Sequence, residues 1–167
     1  VAGLEVALEA GVDVVAHALD DTRGLTPEHL RRMRHQDVAL VPTLALFAND
    51  RWFFEIQDQV RDYARMGGRV LFGTDVGYLA GYDPSRELLL LAGAGLGWRE
   101  ILAALTTNPA VRFGEAVRRG RVAPGFDADL VVLARDPALD VRAFADVRHV
   151  VRAGRMIWTA RVTLGND

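Results

Sequence analysis

Two residues combine a chemistry-bearing side chain with a position that could use it. His17 lies near the end of the apolar run Asp13-Val14-Val15-Ala16-His17-Ala18-Leu19, and Asp75 closes Arg69-Val70-Leu71-Phe72-Gly73-Thr74-Asp75. Runs of this kind suit strands covered on both faces, and α/β folds gather their ligands at the carboxyl ends of parallel strands. An imidazole nitrogen and a carboxylate oxygen are both suitable ligands for a zinc-like divalent ion. Each residue also has a structural explanation: a single histidine can be satisfied in a core by a backbone carbonyl, and an aspartate can cap the segment that follows. A carboxylate buried without a partner would be costly, which makes Asp75 the harder of the two to explain that way. Two such ligands do not close a catalytic metal site, which generally takes at least three protein donors.

Composition narrows the remaining chemistry. The 20 basic residues are all arginine and face 22 acidic ones, for a formal net charge of -2 over 167 residues, which argues against a nucleic-acid partner. The absence of lysine removes Schiff-base chemistry and the phosphate-binding lysine of P-loop enzymes. The absence of cysteine removes thiol nucleophiles, thiolate metal sites and disulfides. Chemistry therefore falls to His, Asp, Glu, Ser, Thr or Tyr. Half of the residues are apolar, enough for the core of one domain or slightly more. No apolar run approaches the roughly 20 residues of a membrane span, and the Val1 start carries no signal-peptide pattern. A cytoplasmic protein without a membrane partner is expected, and a start inside an amphipathic pattern suggests a piece of a longer chain.

The elements that would position His17 and Asp75 follow from spacing. Val1, Leu4 and Leu8 predict a helix over 1–11 that stops at Gly11, and Thr26-Pro27 opens a short helix to about Asp37. Val38 to Leu46 reads as a second apolar strand, although Pro42 demands an unused ladder donor there. Phe53, Ile56, Val60 and Tyr63 form the stripe of a longer helix closed by Gly67-Gly68, and Arg69–Asp75 is the third strand. Strands that alternate with single helices in this way give the βαβαβ rhythm of a parallel sheet. Helices are predicted over Glu87–Ala94 and Trp98–Leu105, with a short one capped at Asn108-Pro109 and ending at Gly114. From about Gly120 the pattern changes to short strands, Leu130–Leu133, Val147–Val151 and Met156–Val162, the last two joined through Ala153-Gly154 as an antiparallel unit. Periodicity alone leaves open whether the parallel part is a small open sheet or a sector of a closed barrel.

Several segments together resemble the amidohydrolase superfamily. Val12 to Leu19 is similar to its sixth barrel strand, Val41-Pro42-Thr43-Leu44 to the seventh strand of the imidazolonepropionase-like and prolidase-like branch, and Leu71-Phe72-Gly73-Thr74-Asp75 to the eighth. Leu105-Thr106-Thr107-Asn108-Pro109-Ala110 and Gly120 to Val132 resemble the segments that lead from that barrel into its small β-sandwich. The likeness covers nearly the whole chain in the family's order. It implies an α/β fold: the last three strand–helix units of a (β/α)₈ TIM barrel over 1–117, and a small β-sandwich segment over 118–167.

The implied activity is metal-dependent hydrolysis of an amide, cyclic amide or dipeptide-like carbon–nitrogen bond, with one or two divalent ions, usually zinc. His17 would be a metal ligand, or would position the substrate carbonyl or the water. Asp75 would bind metal, take the proton of the attacking water and pass it to the departing amine. An ion that lowers the pKa of bound water toward neutrality, beside a short fixed carboxylate, suits that task. The superfamily's His-x-His pair, its carboxylated lysine or glutamate and its further histidine have no counterpart here and would lie before Val1. The sequence is therefore expected to be a carboxyl-terminal portion with an incomplete metal site. Another barrel half or another chain would cover its sheet edges, and a homo-oligomer would serve the same end.

Other polar residues read as structural. Thr43 is either a good strand former or a residue facing the pocket, and Tyr78 and Tyr82 either line the substrate entrance or pack their loop down. Asp127 and Asp129 flank the turn after Pro124-Gly125, the Arg118, Arg119 and Arg121 cluster suits a solvated helix end, and His29, His35 and His149 read as surface residues. Gly93-Ala94-Gly95-Leu96-Gly97 fails as a dinucleotide loop because Trp98 occupies the third glycine position. A rival of another class is a non-catalytic association module that binds a partner through apolar strand edges.

Overall fold

Leu4 and Leu8, one helical turn apart, bury the inner face of α1 (Ala2–Ala10), and Gly11 ends the helix in left-handed backbone at φ 69°. The computed structural model describes residues 1–161. β1 (Val14–Ala16) then pairs in parallel with β2 (Ala39–Val41), Val15 opposite Leu40, with α2 (Pro27–His35) between them. A third segment joins the other edge of β2 in the same direction: the Leu40 N–H donates to Arg69 O at 2.9 Å, and the Leu71 N–H donates to Leu40 O at 2.8 Å. The parallel rhythm is therefore present, but each strand is shorter than its apolar run.

The reasons for shortening are local. β2 was expected to run to Leu46; instead Pro42 offers no N–H, Thr43 turns into left-handed backbone, and Leu44–Phe47 closes as the short helix α3. The third strand, expected over 69–75, leaves the ladder after Leu71, because the Phe72 N–H donates to Ala104 O at 3.1 Å and Val70 O accepts from Asn108 Nδ2 at 2.9 Å. Gly73 runs close beside β2, where a Cβ would stand 2.5 Å from Val41 Cγ1. The run 13–19 forms ladder geometry only over Val14–Ala16, yet His17 N–H and Ala18 N–H still donate to Val41 O and Pro42 O at 2.8 and 3.0 Å.

Helices cover this small sheet. α4 (Phe53–Arg65) buries Ile56, Val60 and Tyr63, and α5 (Ser85–Gly93) and α6 (Trp98–Leu105) add Leu88, Leu91 and Ile101 to one continuous core. α7 (Thr107–Arg112) follows and ends earlier than the expected Gly114. The segment Leu88–Leu91 lies inside α5, so the strand that a dinucleotide loop needs is absent there. At the amino-terminal ends of the strands Arg112 donates to Asp37 O at 2.8 Å and to Asp13 Oδ1, while Arg69 pairs with Asp37 at 3.0 Å. α7 is thereby tied to the approaches of β1 and β2. His29, expected as a plain surface residue, instead accepts the Thr26 N–H on Nδ1 at 3.1 Å and closes the first turn of α2.

The last part is a three-stranded antiparallel sheet of β3 (Leu130–Leu133), β4 (Val147–Arg152) and β5 (Arg155–Thr159), in that order. Ala153 at φ 49° and Gly154 at φ 75° make the tight hairpin turn. Asp129 holds that turn by accepting the Ala153 N–H at 2.7 Å, a more distant role than the local turn expected for it. Arg118 and Arg119 are not merely solvated, since both donate to Asp127, at 3.1 and 2.9 Å. His149 stands opposite Thr159, with its Nδ1 3.2 Å from Oγ1. A 3₁₀ turn at Val141–Ala145, which the sequence did not suggest, packs on α5, and Val141, Phe144 and Ala145 join the main core. The expected extension of the last strand to Val162 ends outside the described residues. No described helix is long and apolar enough to cross a membrane.

Packing is close just after α4, where a Cβ on Gly68 would lie 2.4 Å from the Tyr63 ring, whose hydroxyl donates to Val38 O. Gly68→Ala should therefore destabilise the fold by about 1–3 kcal/mol through overpacking. A shift of the denaturant midpoint at unchanged slope would show it.

Candidate active site

Three residues that end successive parallel segments share one unusual property. His17, Thr43 and Asp75 adopt positive φ angles of 72°, 47° and 55°, and none is glycine. Such backbone costs an L-residue energy, most of all a β-branched one, and it clusters where a chain must aim side chains at a site. His17 and Thr43 are joined directly: His17 Nδ1 lies 2.7 Å from Thr43 Oγ1. The Thr43 hydroxyl is also 2.8 Å from Pro42 O, and Thr43 is 3% exposed. Asp75 lies two residues after Gly73, whose Cβ position is 3.8 Å from Thr43 Cγ2.

The rim is held from behind by two helices. The buried amide of Gln59 on α4 treats Leu19 as a strand partner, accepting its N–H at 3.0 Å and donating to its carbonyl at 3.3 Å. Glu87 on α5, 1% exposed, accepts the N–H groups of Leu44 at 2.9 Å and Ala45 at 2.7 Å. Its carboxylate caps α3 directly behind Thr43. Sequence reasoning missed both residues. The one available signal for Glu87 was a carboxylate flush against Leu88-Leu89-Leu90-Leu91, where a solvent-facing helix position is hard to arrange.

Among the described residues, Asp75 makes no side-chain hydrogen bond or ion pair, and His17 Nε2 has no hydrogen-bond partner. Both donors are of the type a divalent ion takes. No group of three or more His, Asp or Glu side chains able to hold an ion is present among the described residues. Tyr78 and Tyr82 stand in solvent at 79% and 92% exposure, so they do not pack their loop down. A cavity of about 680 Å³ lies elsewhere, between α6, α7 and β3, with mostly apolar walls that include Leu105, Phe113 and Leu130. None of the three strand-end residues lines it.

Burial pushes the Glu87 carboxyl up to about 7, against the opposing pull of the Ala45 and Leu44 N–H groups. The folded state thus holds this proton more tightly than the unfolded chain, where the group titrates near 4.5. Its contribution to stability is complete below about pH 4.5 and is lost as pH rises to about 7. Glu87→Gln should remove that slope from a pH series of unfolding midpoints. Below about pH 4.5 it should also cost about 1–3 kcal/mol, because one buried N–H loses its acceptor, and above about pH 7 relief of the buried charge should offset that cost.

The sequence profile of the amidohydrolase family matches residues 4–158. No curated protein matches the chain significantly. Among solved structures, a Xaa-Pro dipeptidase with methionine bound in its active site superposes with a TM-score of 0.81 at 20% identity, over 95% of this chain and 43% of its own. A prolidase in complex with N-methylphosphonate-L-proline gives 0.76 at 25% identity, over 95% and 43% of the two chains. A molinate hydrolase gives 0.75 at 19%, over 93% and 40%. The chain thus spans less than half the length of these structures. With its mixed α/β core and a profile match across nearly its whole length, the chain belongs to the amidohydrolase family.

Proposed function

We propose that the chain is the carboxyl-terminal portion of a metal-dependent hydrolase of carbon–nitrogen bonds. Residues 1–117 supply the last three strand–helix units of a (β/α)₈ barrel, and residues 118–167 supply part of a small β-sandwich. The observation that carries this reading is the left-handed backbone shared by His17, Thr43 and Asp75, each following a parallel segment, together with the contact between His17 and Thr43, in a chain of this family.

Zinc suits the imidazole and carboxylate donors, and His17 and Asp75 would hold it together with donors from the other barrel half or another chain. When bound, such an ion lowers the pKa of water toward neutrality and polarises a carbonyl. Asp75 takes a proton from the attacking water. As the water oxygen bonds to the carbonyl carbon and the carbon–nitrogen bond breaks, Asp75 delivers that proton to the departing nitrogen. His17 orients the carbonyl, Thr43 steadies His17, and Tyr78 and Tyr82 border the approach of the substrate. The likeness to the prolidase favours a dipeptide-like amide over a cyclic one. The other barrel half, or a second chain, covers the outer edges of the parallel segments. The setting is cytoplasmic.

The intact protein, supplied with zinc, should hydrolyse Xaa-Pro dipeptides, and chelation should stop it. Asp75→Asn should lower kcat by about 10²–10⁴ while the thermal melt stays in place. Undiminished turnover in that variant would remove Asp75 from the chemistry, and a lack of zinc-dependent hydrolysis across dipeptides and N-acyl amides would refute the function.

A further inference from the structure

The Thr43 hydroxyl has one proton and two neighbours. Pro42 O can only accept, so both contacts are hydrogen bonds only when the hydroxyl proton points to it, over 2.8 Å. The 2.7 Å contact with His17 Nδ1 is then a hydrogen bond only if Nδ1 carries the proton and donates to the hydroxyl oxygen. That leaves the lone pair on Nε2, the nitrogen without a partner among the described residues. Thr43 can hold this position only while its own backbone stays at φ 47° and ψ 49°, a conformation a β-branched residue does not adopt unaided. The next two N–H groups, of Leu44 and Ala45, are gripped by the two oxygens of Glu87 from 43 and 42 residues away. Pro42 on one side and Glu87 on the other thus leave Thr43 little freedom.

We propose that Thr43 and Glu87 are positioning residues that select the Nδ1–H tautomer of His17 and so present Nε2 as an electron-pair donor. Thr43 acts by direct hydrogen bond, and Glu87 acts by anchoring the start of α3 that fixes Thr43. The inference rests on the functional reading for its purpose, since a ligating histidine commonly has its tautomer set through the other ring nitrogen. The chemistry of the contact stands without that reading.

The test is the nitrogen-15 shift pattern of the histidine ring in the intact, metal-free protein, where His17→Gln identifies the signal. The wild type should show His17 as Nδ1–H. Thr43→Val should lose that pattern in favour of Nε2–H, Thr43→Ser should retain it, and Glu87→Gln should lose it in part, each variant checked for fold by circular dichroism. In the same protein titrated with zinc, Thr43→Val should weaken binding by about 10–100-fold. A wild-type Nε2–H pattern, or a wild-type pattern in either Thr43→Val or Glu87→Gln, overturns the proposal. If Glu87→Gln does not fold, Glu87→Asp takes its place, with the same expected partial loss and the same overturning result. An inactive protein with an Nδ1–H His17 would sink the hydrolase reading and leave the tautomer assignment standing; an active one with Nε2–H would do the reverse.

Discussion

A threonine in left-handed backbone is the constraint on which this rim depends. At φ 47° Thr43 ends β2, opens α3 and brings its hydroxyl between Pro42 O and the His17 ring. Extended backbone at that position would continue the apolar strand that the sequence pattern suggests, and would carry the hydroxyl away from both. The surrounding contacts hold this otherwise unfavourable conformation: a proline without an N–H before it, a buried carboxylate on the two N–H groups after it, and Leu44 fully buried in the core.

The same economy of parts governs the neighbouring strand ends. Leu19 receives a side-chain amide where a further strand residue would otherwise pair, and Phe72 gives its N–H to a helix carbonyl in place of a strand. Loops at a sheet end are ordinarily its most mobile part. Here α4, α5 and α6 reach into them with hydrogen bonds spanning some 32 to 43 residues of sequence. Groups placed on such a braced rim can be aimed to within the tolerance that chemistry needs.

How much of this was legible in the sequence depended on how local its cause was. α6 and β3 lie where their patterns put them, Trp98–Leu105 and Leu130–Leu133, because periodicity and flanking glycines act within a few residues. The helix opened by Thr26-Pro27 and the turn at Ala153-Gly154 were readable for the same reason. The parallel strands were found but drawn too long, since an apolar run says that a segment is buried and not that it stays in a ladder. Gln59 and Glu87 were missed, because a polar residue on an amphipathic helix looks solvent-facing until its distant backbone partner is known. His17, Thr43 and Asp75 could be picked out by position, while the hydrogen bond between the first two needed the register of β1 on β2.

The arginine clamp on Asp13 and Asp37 has a consequence for how this fold can change. It secures the far end of the sheet from the rim, so the clamp and the exposed loops are separated along the strand axis. The segment from Val76 to Asp83, with its bare aromatic rings, can lengthen, shrink or exchange residues without loosening what keeps the strands together. Such a scaffold can rewrite one surface stretch while inheriting its rigidity unchanged.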